Sequence, residues 1–502
     1  MIYSRCAILH QALLATLVFC VCVLTPGTLR AQPPGDKPPL SAETEACIAC
    51  HESATPGIVA DWRTSRHSAH TPESALLLPA LERRVSAAKM PGELTGHTVG
   101  CYECHALRAD KHADTFDHFG TMVHVVVTPA DCQTCHPAEA DQYSGSKKAH
   151  AHDNLVKNPV YSLLMETTLR QMNIEKGVLV PGKASENAKH ETCLACHGTT
   201  VVVKGTKTVE TDAGPIEIPD LVGWPNQGVG RINPDGSAGS CTACHPRHGF
   251  SIEVARKPET CGQCHLEPDV PGYNVYKESK HGNITDAKKE RWTWDAVPWK
   301  LGQDFTAPSC ATCHNALITA GGTVVAERTH NFGSRLYVRL FGLIYSHPQP
   351  ISGKTHEILN ADKMPLPVTF GGKPAASFLI SPEEQATRKA GLKVICRNCH
   401  STDWADKHFE KLDRTNIETD AMTATATKLL AGAWEKRIAD GKNPFDEEIE
   451  QLWIKQWLFY ANSVRSGSAM AGPDYAAFKH GWWDLTHNLQ HMKELTGKRA
   501  GK

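Results

Sequence analysis

Eight times along 502 residues, two cysteines are separated by two residues and followed at once by a histidine. The copies are Cys47, Cys50 and His51; Cys101, Cys104 and His105; Cys132, Cys135 and His136; Cys193, Cys196 and His197; Cys241, Cys244 and His245; Cys261, Cys264 and His265; Cys310, Cys313 and His314; and Cys396, Cys399 and His400. With 19 cysteines and 27 histidines, a random chain of this length would hold only about 0.04 such motifs, so chance is excluded. Zinc sites and dithiol redox pairs also use C-x-x-C, but neither needs the histidine that follows every copy. In C-x-x-C-H the two thiols add to the vinyl groups of haem, and the histidine ligates its iron from the same loop. The sequence therefore predicts eight covalently attached c-type haems (iron), each with its motif histidine as proximal ligand.

That load constrains the fold. Roughly sixty residues per haem cannot enclose eight macrocycles without using their faces as core, so the apoprotein is not expected to fold. The expected fold class is mainly α with few short β-strands, a multihaem cytochrome c with a haem-packed core and a C-terminal helical region. Intervals of 20 to 86 residues between successive motifs exclude a regular solenoid.

The chain divides by composition. Arg5 and an apolar run from Ala12 to Leu24, with a cut expected near Ala31, read as an export signal over residues 1–31. The remaining cysteines Cys6, Cys20 and Cys22 lie there; a lipid anchor on Cys20 or Cys22 is the alternative, with Phe19 and Val21 poor neighbours for it. Residues 32–40 form a polar, proline-rich leader, 41–415 the octahaem domain, and 416–502 the helical region. No further apolar run is long enough to span a bilayer, so a soluble, periplasmic or otherwise exported protein is expected. Lys+Arg 53 against Asp+Glu 54 speaks against nucleic acid as a partner. Haem propionates would add up to about sixteen negative charges and steer a basic redox partner to the surface.

Within the octahaem domain, β-rich stretches at Val201–Val203, Lys207–Thr211 and Ile216–Ile218 predict a hairpin inside an insertion, 198–240, between the fourth and fifth motifs. Helices are expected over 159–172 and from an N-cap at Ser381 to 390. In the C-terminal region, Ile449, Leu452, Trp453, Trp457, Tyr460, Ala461 and Val464 share one helical face over 447–464, and a last helix is expected over 475–495.

Nineteen histidines outside the motifs are available as second axial ligands. His67 or His70, one of His112, His118 and His124, His150 or His152, His248, His281 and His330 are the candidates, with His67, His150, His248, His281 and His330 preferred. His190, His347, His356, His408 and His480 compete for the rest. A haem with two histidine ligands passes electrons only, whereas one lacking the second can bind a small molecule on iron.

The order CTACHPRHGFS from Cys241, ARKPETCGQCH to His265, ESKHG to Gly282, RWTW to Trp294, APSCATCH to His314 and then Thr329-His330-Asn331 resembles hydroxylamine oxidoreductase and its octahaem relatives. The likeness covers nearly the whole chain after residue 40 and is most specific from Cys241 to Asn331. Octahaem nitrite reductases and the octahaem tetrathionate reductase are less similar, since they place Lys where one motif should carry His. The resemblance implies a small nitrogen substrate (hydroxylamine, nitrite or nitric oxide), a homotrimer, and a redox partner such as a c-type cytochrome or a quinone-linked membrane protein. It also implies that the fourth haem, at Cys193, Cys196 and His197, is five-coordinate and catalytic. The family's Asp-His pair falls on Asp269 and Val270, so the carboxylate is kept and the imidazole is not. Tyr475 is the positional match for a tyrosine that bonds to a neighbouring subunit's catalytic haem. The insertion and Val270 are departures that turn the expectation towards reductive chemistry. Three bland alternatives stand beside these readings: Asp269 as a solvated loop residue, Tyr475 as ordinary packing, and the protein as an electron carrier with all haems bis-His ligated.

A pyridine haemochrome assay on purified protein is expected to give eight haems per chain, falling to seven when Cys193 and Cys196 are both replaced by Ala.

Overall fold

The computed structural model describes residues 37–211, 213–470 and 481–500, the side chains of the last three excepted. The expected export signal, most of the leader, Tyr475 and His480 lie outside these residues.

Short helices carry or connect the haem motifs, and long ones follow them. Ser41 caps the helix Ala42–Ala54, accepting from the Thr44 backbone N–H at 3.1 Å. Glu103, inside the second motif and buried, ties that helix to itself. Its carboxylate accepts from Ser41 Oγ at 2.5 Å, Thr44 Oγ1 at 2.7 Å and the Gly100 N–H at 2.8 Å. The first two haem motifs are thereby fixed against each other by a carboxylate whose burial is matched by three donors.

The described strands form four two-stranded sheets and one three-stranded sheet. Val202–Thr211 pairs antiparallel with Gly214–Val222, the hairpin expected in the insertion. A second hairpin, Arg170–Glu175 with Val178–Ala184, ends the helix Pro159–Leu169 before the expected 172. Its turn at Lys176 and Gly177 has positive φ at both residues, 51° and 77°, the two-residue geometry whose twist suits a tight hairpin. That local turn outcompetes the helical periodicity before it.

Helix Pro382–Arg397 starts at the expected Ser381 cap and runs on through the first cysteine of the last motif. Helix Thr402–Glu435 runs through residue 415, so the helical region begins ahead of 416. It packs Ala426, Leu430 and Ala433 against Phe445, Ile449, Trp453 and Trp457 in one buried cluster. The expected apolar face over 447–464 is continuous but not uniform. Glu448–Ile454 is α-helical, Lys455–Tyr460 is a π-helical segment, and Ala461–Ala469 returns to α. A π segment rotates the faces that follow it, and here Asn462, Ser463 and Arg465 become buried along with Val464. Arg465 answers its burial by pairing with Asp420. The last helix, Trp482–Ala500, packs against this assembly through Leu485 and Met492. Among the described residues no helix is long and apolar enough to cross a membrane.

A second polar tie lies between motifs two and three. His112 stacks on His124 with ring centroids 3.6 Å apart, and its Nε2 meets Asp131 Oδ1 at 3.1 Å, next to Cys132. Asp114 lies 3.4 Å from its other nitrogen. Burial opposes charge on His112, but the two carboxylates outweigh it and raise its pKa to about 9. A raised pKa means that this stabilisation is complete below the unfolded value of about 6.5 and is lost as pH rises through about 9. The melting temperature of the holoprotein is expected to fall between pH 6.5 and 10, with a shallower fall in His112→Gln; parallel curves would show that the cluster does not carry the effect.

Candidate haem sites and catalytic cleft

Each motif folds into a helical turn that gathers its three ligating groups. Cys101–His105, Cys193–His197 and Cys310–His314 are short helices. In the copies at 132, 241, 261 and 396 the histidine N–H reaches the first cysteine's carbonyl at 2.9 to 3.0 Å. None of the sixteen motif cysteines is buried and none is in a disulfide. Free cysteine is ordinarily among the most buried residue types, so thiols that all retain open space beside them fit attachment to a prosthetic group.

Imidazole pairs test that fit. Two metal–nitrogen bonds of about 2 Å in line leave two ring centroids separated by about 6 to 6.5 Å. His51 and His118 are 6.0 Å apart, His136 and His67 6.3 Å, His245 and His330 6.5 Å, and His400 and His281 6.1 Å. Burial above all holds His67, His245 and His330 down to about 4, the neutral form that ligates iron. His248 borders a cavity of about 440 Å³ together with Asp61 and Arg247. Its pKa is lowered by burial first and then by His105, which is therefore close by. His105 and His124 are also 6.0 Å apart, but His105 Nδ1 donates to the His124 carbonyl and His124 Nε2 to that of Leu107, so this pair is no axial couple.

The sites form a connected line. Cys47 lies near Cys101, Cys104 near Cys135, Cys244 near both Cys261 and Cys264, and Cys313 near Cys396. Cys132 contacts Cys241, Cys261 contacts Cys310, and Cys196 contacts Cys264. The order is first, second, third, fifth, sixth, seventh and eighth motif, with the fourth joining at the sixth.

The fourth site differs from the paired ones. His197 Nδ1 donates to the Ala151 carbonyl at 3.1 Å, which leaves Nε2 for a metal, and no imidazole stands opposite at the axial spacing among the described residues. Asp269 comes close enough to act on His197 and on both Cys193 and Cys196. Its carboxyl pKa is raised, by burial first. The residue itself is exposed on its loop, so it is the protein packed around it, not full enclosure, that raises its pKa. Asn462, aimed by the π segment, donates to the Asp269 carbonyl oxygen at 2.9 Å and holds that loop. His152 also acts on His197; its Nε2 lies 3.4 Å from Thr200 Oγ1.

The base of the insertion grips this motif from behind. Gly198, at φ 96°, leaves no room for a Cβ, which would lie 2.2 Å from the Arg231 nitrogen; a Cβ on Gly230 would lie 2.7 Å from the His197 carbonyl oxygen. Val229 N–H donates to the Cys196 carbonyl at 3.0 Å. The insertion is thus neither a free surface appendage nor only a rim: its 223–240 loop is packed on the motif, while much of the hairpin is exposed.

Among the three central candidates the structure pairs His118, and it turns His112 and His124 to the polar tie. His67 is paired, whereas His70 interacts with Arg66 at 3.0 Å. His150 corrects the expectation. It precedes the helix Ala151–Val156, its ring is bonded to the Ser144 carbonyl, and it faces no proximal histidine. Lys148, absent from the candidates because it is not a histidine, lies with Nζ 3.3 Å from His265 Nε2. His347 is buried and donates to the Pro348 carbonyl at 2.7 Å, and His356 is bonded to Asn154 at 2.9 Å. No imidazole stands opposite His314 at the axial spacing among the described residues.

Residues 235–329 match a family described as seven times multi-haem cytochrome CxxCH, and residues 131–216 match cytochrome c554 and c-prime. A solved structure described as a hypothetical multiheme protein is 44% identical over 93% of this chain and 97% of its own, with a TM-score of 0.87. A reducing HAO-like protein complex of Kuenenia stuttgartiensis shares the fold at 19% identity and a TM-score of 0.59, over 91% of this chain and 85% of its own. A probable nitrite reductase-hydroxylamine oxidoreductase fusion protein from the same organism is 25% identical over 396 residues, 75% of this chain. The chain spans only 36% of that relative's length.

The axial assignments separate neighbouring histidines. His118→Ala is expected to convert one low-spin haem to high spin in the EPR spectrum, whereas His124→Ala, in the polar tie, should leave the spin count unchanged.

Proposed function

The chain belongs to the multihaem c-type cytochromes and is a relative of the hydroxylamine oxidoreductase proteins, and on that premise we propose that it is an exported octahaem oxidoreductase acting on a small nitrogen compound. The reaction is hydroxylamine oxidation or the reduction of nitrite or hydroxylamine, at the site of Cys193, Cys196 and His197. Haem there supplies a coordination position for the substrate nitrogen and exchanges electrons with it; the other seven sites conduct to or from a partner.

The observation that supports this reading is that His197, unlike His51, His136, His245 and His400, has no imidazole across from it among the described residues and has the Asp269 carboxyl close enough to act on it. Asp269, its pKa raised above the ordinary aspartate value by the protein packed around it, can release or accept a proton beside the substrate. His152, close enough to act on His197, is the second proton group and takes part of the role that Val270 cannot fill. Asn462 keeps the Asp269 loop in place without touching substrate. A c-type cytochrome or a quinone-linked membrane protein is the redox partner, and a homotrimer the assembly.

Asp269→Asn is expected to lower kcat for hydroxylamine oxidation or nitrite reduction by about 10²- to 10⁴-fold with haem content unchanged. Wild-type protein inactive with hydroxylamine and nitrite, and without a high-spin haem by EPR, would instead be an electron carrier.

A further inference from the structure

Three segments of the chain share one local design. Trp62 to Ser68 reads Trp-Arg-Thr-Ser-Arg-His-Ser, Tyr143 to Ala149 reads Tyr-Ser-Gly-Ser-Lys-Lys-Ala, and Tyr276 to Gly282 reads Tyr-Lys-Glu-Ser-Lys-His-Gly. Each has an aromatic residue, then a serine three positions on, a basic residue, one variable residue and a small one.

The three fold alike. The serine N–H donates to the aromatic residue's carbonyl at 2.9, 2.9 and 3.0 Å for Ser65, Ser146 and Ser279. The serine Oγ accepts from the N–H three residues on, at 3.2, 3.4 and 3.1 Å. All three serines and all three aromatics are buried, so each segment is a rigid bracket. In two of them the residue after the basic one is a histidine placed across from a proximal histidine: His67 from His136 at 6.3 Å and His281 from His400 at 6.1 Å between centroids. In the third, the same position is Lys148, and its Nζ lies 3.3 Å from His265 Nε2, the nitrogen by which a motif histidine binds iron.

We propose that Lys148 is the second axial ligand of the haem carried by Cys261, Cys264 and His265, giving that site a histidine–amine pair in place of the histidine pairs at His51, His136, His245 and His400. The chemistry is available. A neutral lysine amine offers one lone pair, so ligation releases the ammonium proton. The flexible four-carbon stem lets the amine draw back from 3.3 Å to the roughly 4 Å that two axial bonds in line require. The neighbouring histidine does not compete, because His150 is bonded to the Ser144 carbonyl.

The place of this site gives the ligand a consequence. His265 has both His197 and His314 close enough to act on it, so the sixth haem lies where the candidate catalytic site joins the line. Exchanging imidazole for an amine changes the electronics of that junction haem and of no other. The inference does not depend on whether the site at His197 is catalytic.

EPR of the purified holoprotein, with haem content measured in parallel, tests it. Lys148→Ala is expected to add one high-spin haem per chain, returned to low spin by added imidazole. An unchanged high-spin count at full haem content would overturn the proposal. If Lys148→Ala does not accumulate, Lys148→His decides: it restores the bracket's histidine, so one low-spin signal should move to the bis-histidine type. A spectrum identical to wild type in every signal would equally overturn it.

Discussion

The structure depends on holding two ligating groups on opposite sides of a metal with only a few tenths of an ångström of tolerance. Four imidazole pairs fall within 6.0 to 6.5 Å although their members come from segments 67 to 119 residues apart in sequence. Local structure alone cannot set such a distance. It is set by brackets that fix one partner, as at Ser65 and Ser279, and by the helical turn that fixes the other. Haem is then both cargo and core, and the polypeptide acts mainly as a set of rigid clamps joined by short helices.

Buried polar ties make the clamps rigid relative to each other. Glu103 joins the first helix to the second motif, and the group of His112, Asp114 and Asp131 lies between the second and third. A buried carboxylate with several donors is costly to disturb and permits one geometry, a property that apolar contacts lack. The motif's two variable residues are used for this: Glu103 is one of them.

The fourth site uses the same devices to a different end. Its motif is held from behind by the insertion, through glycines that allow backbone to touch backbone, and Asp269 is held in front by Asn462 from the C-terminal helices. Elements 193 residues apart in sequence therefore meet at one cleft. The departures at 198–240 and Val270 are both beside this site, where a change in chemistry would be made.

Sequence by itself determined the covalent chemistry. Cys-x-x-Cys-His is a contiguous pattern, and a helical turn suffices to assemble it, so all eight motifs were legible without a fold. The hairpin of 202–222 and the apolar face of 447–464 were legible for the same reason, since local periodicity carries them. Tertiary structure alone decided which groups stand across from the motif histidines. It selected His118 over His112 and His124, turned His150 away, and set Lys148 against His265, because opposition across a metal is a relation between distant segments that no local spacing encodes. The repeated bracket around Ser65, Ser146 and Ser279 was present in the sequence throughout, but only its hydrogen bonds show that Lys148 takes the same place in its bracket as His67 and His281.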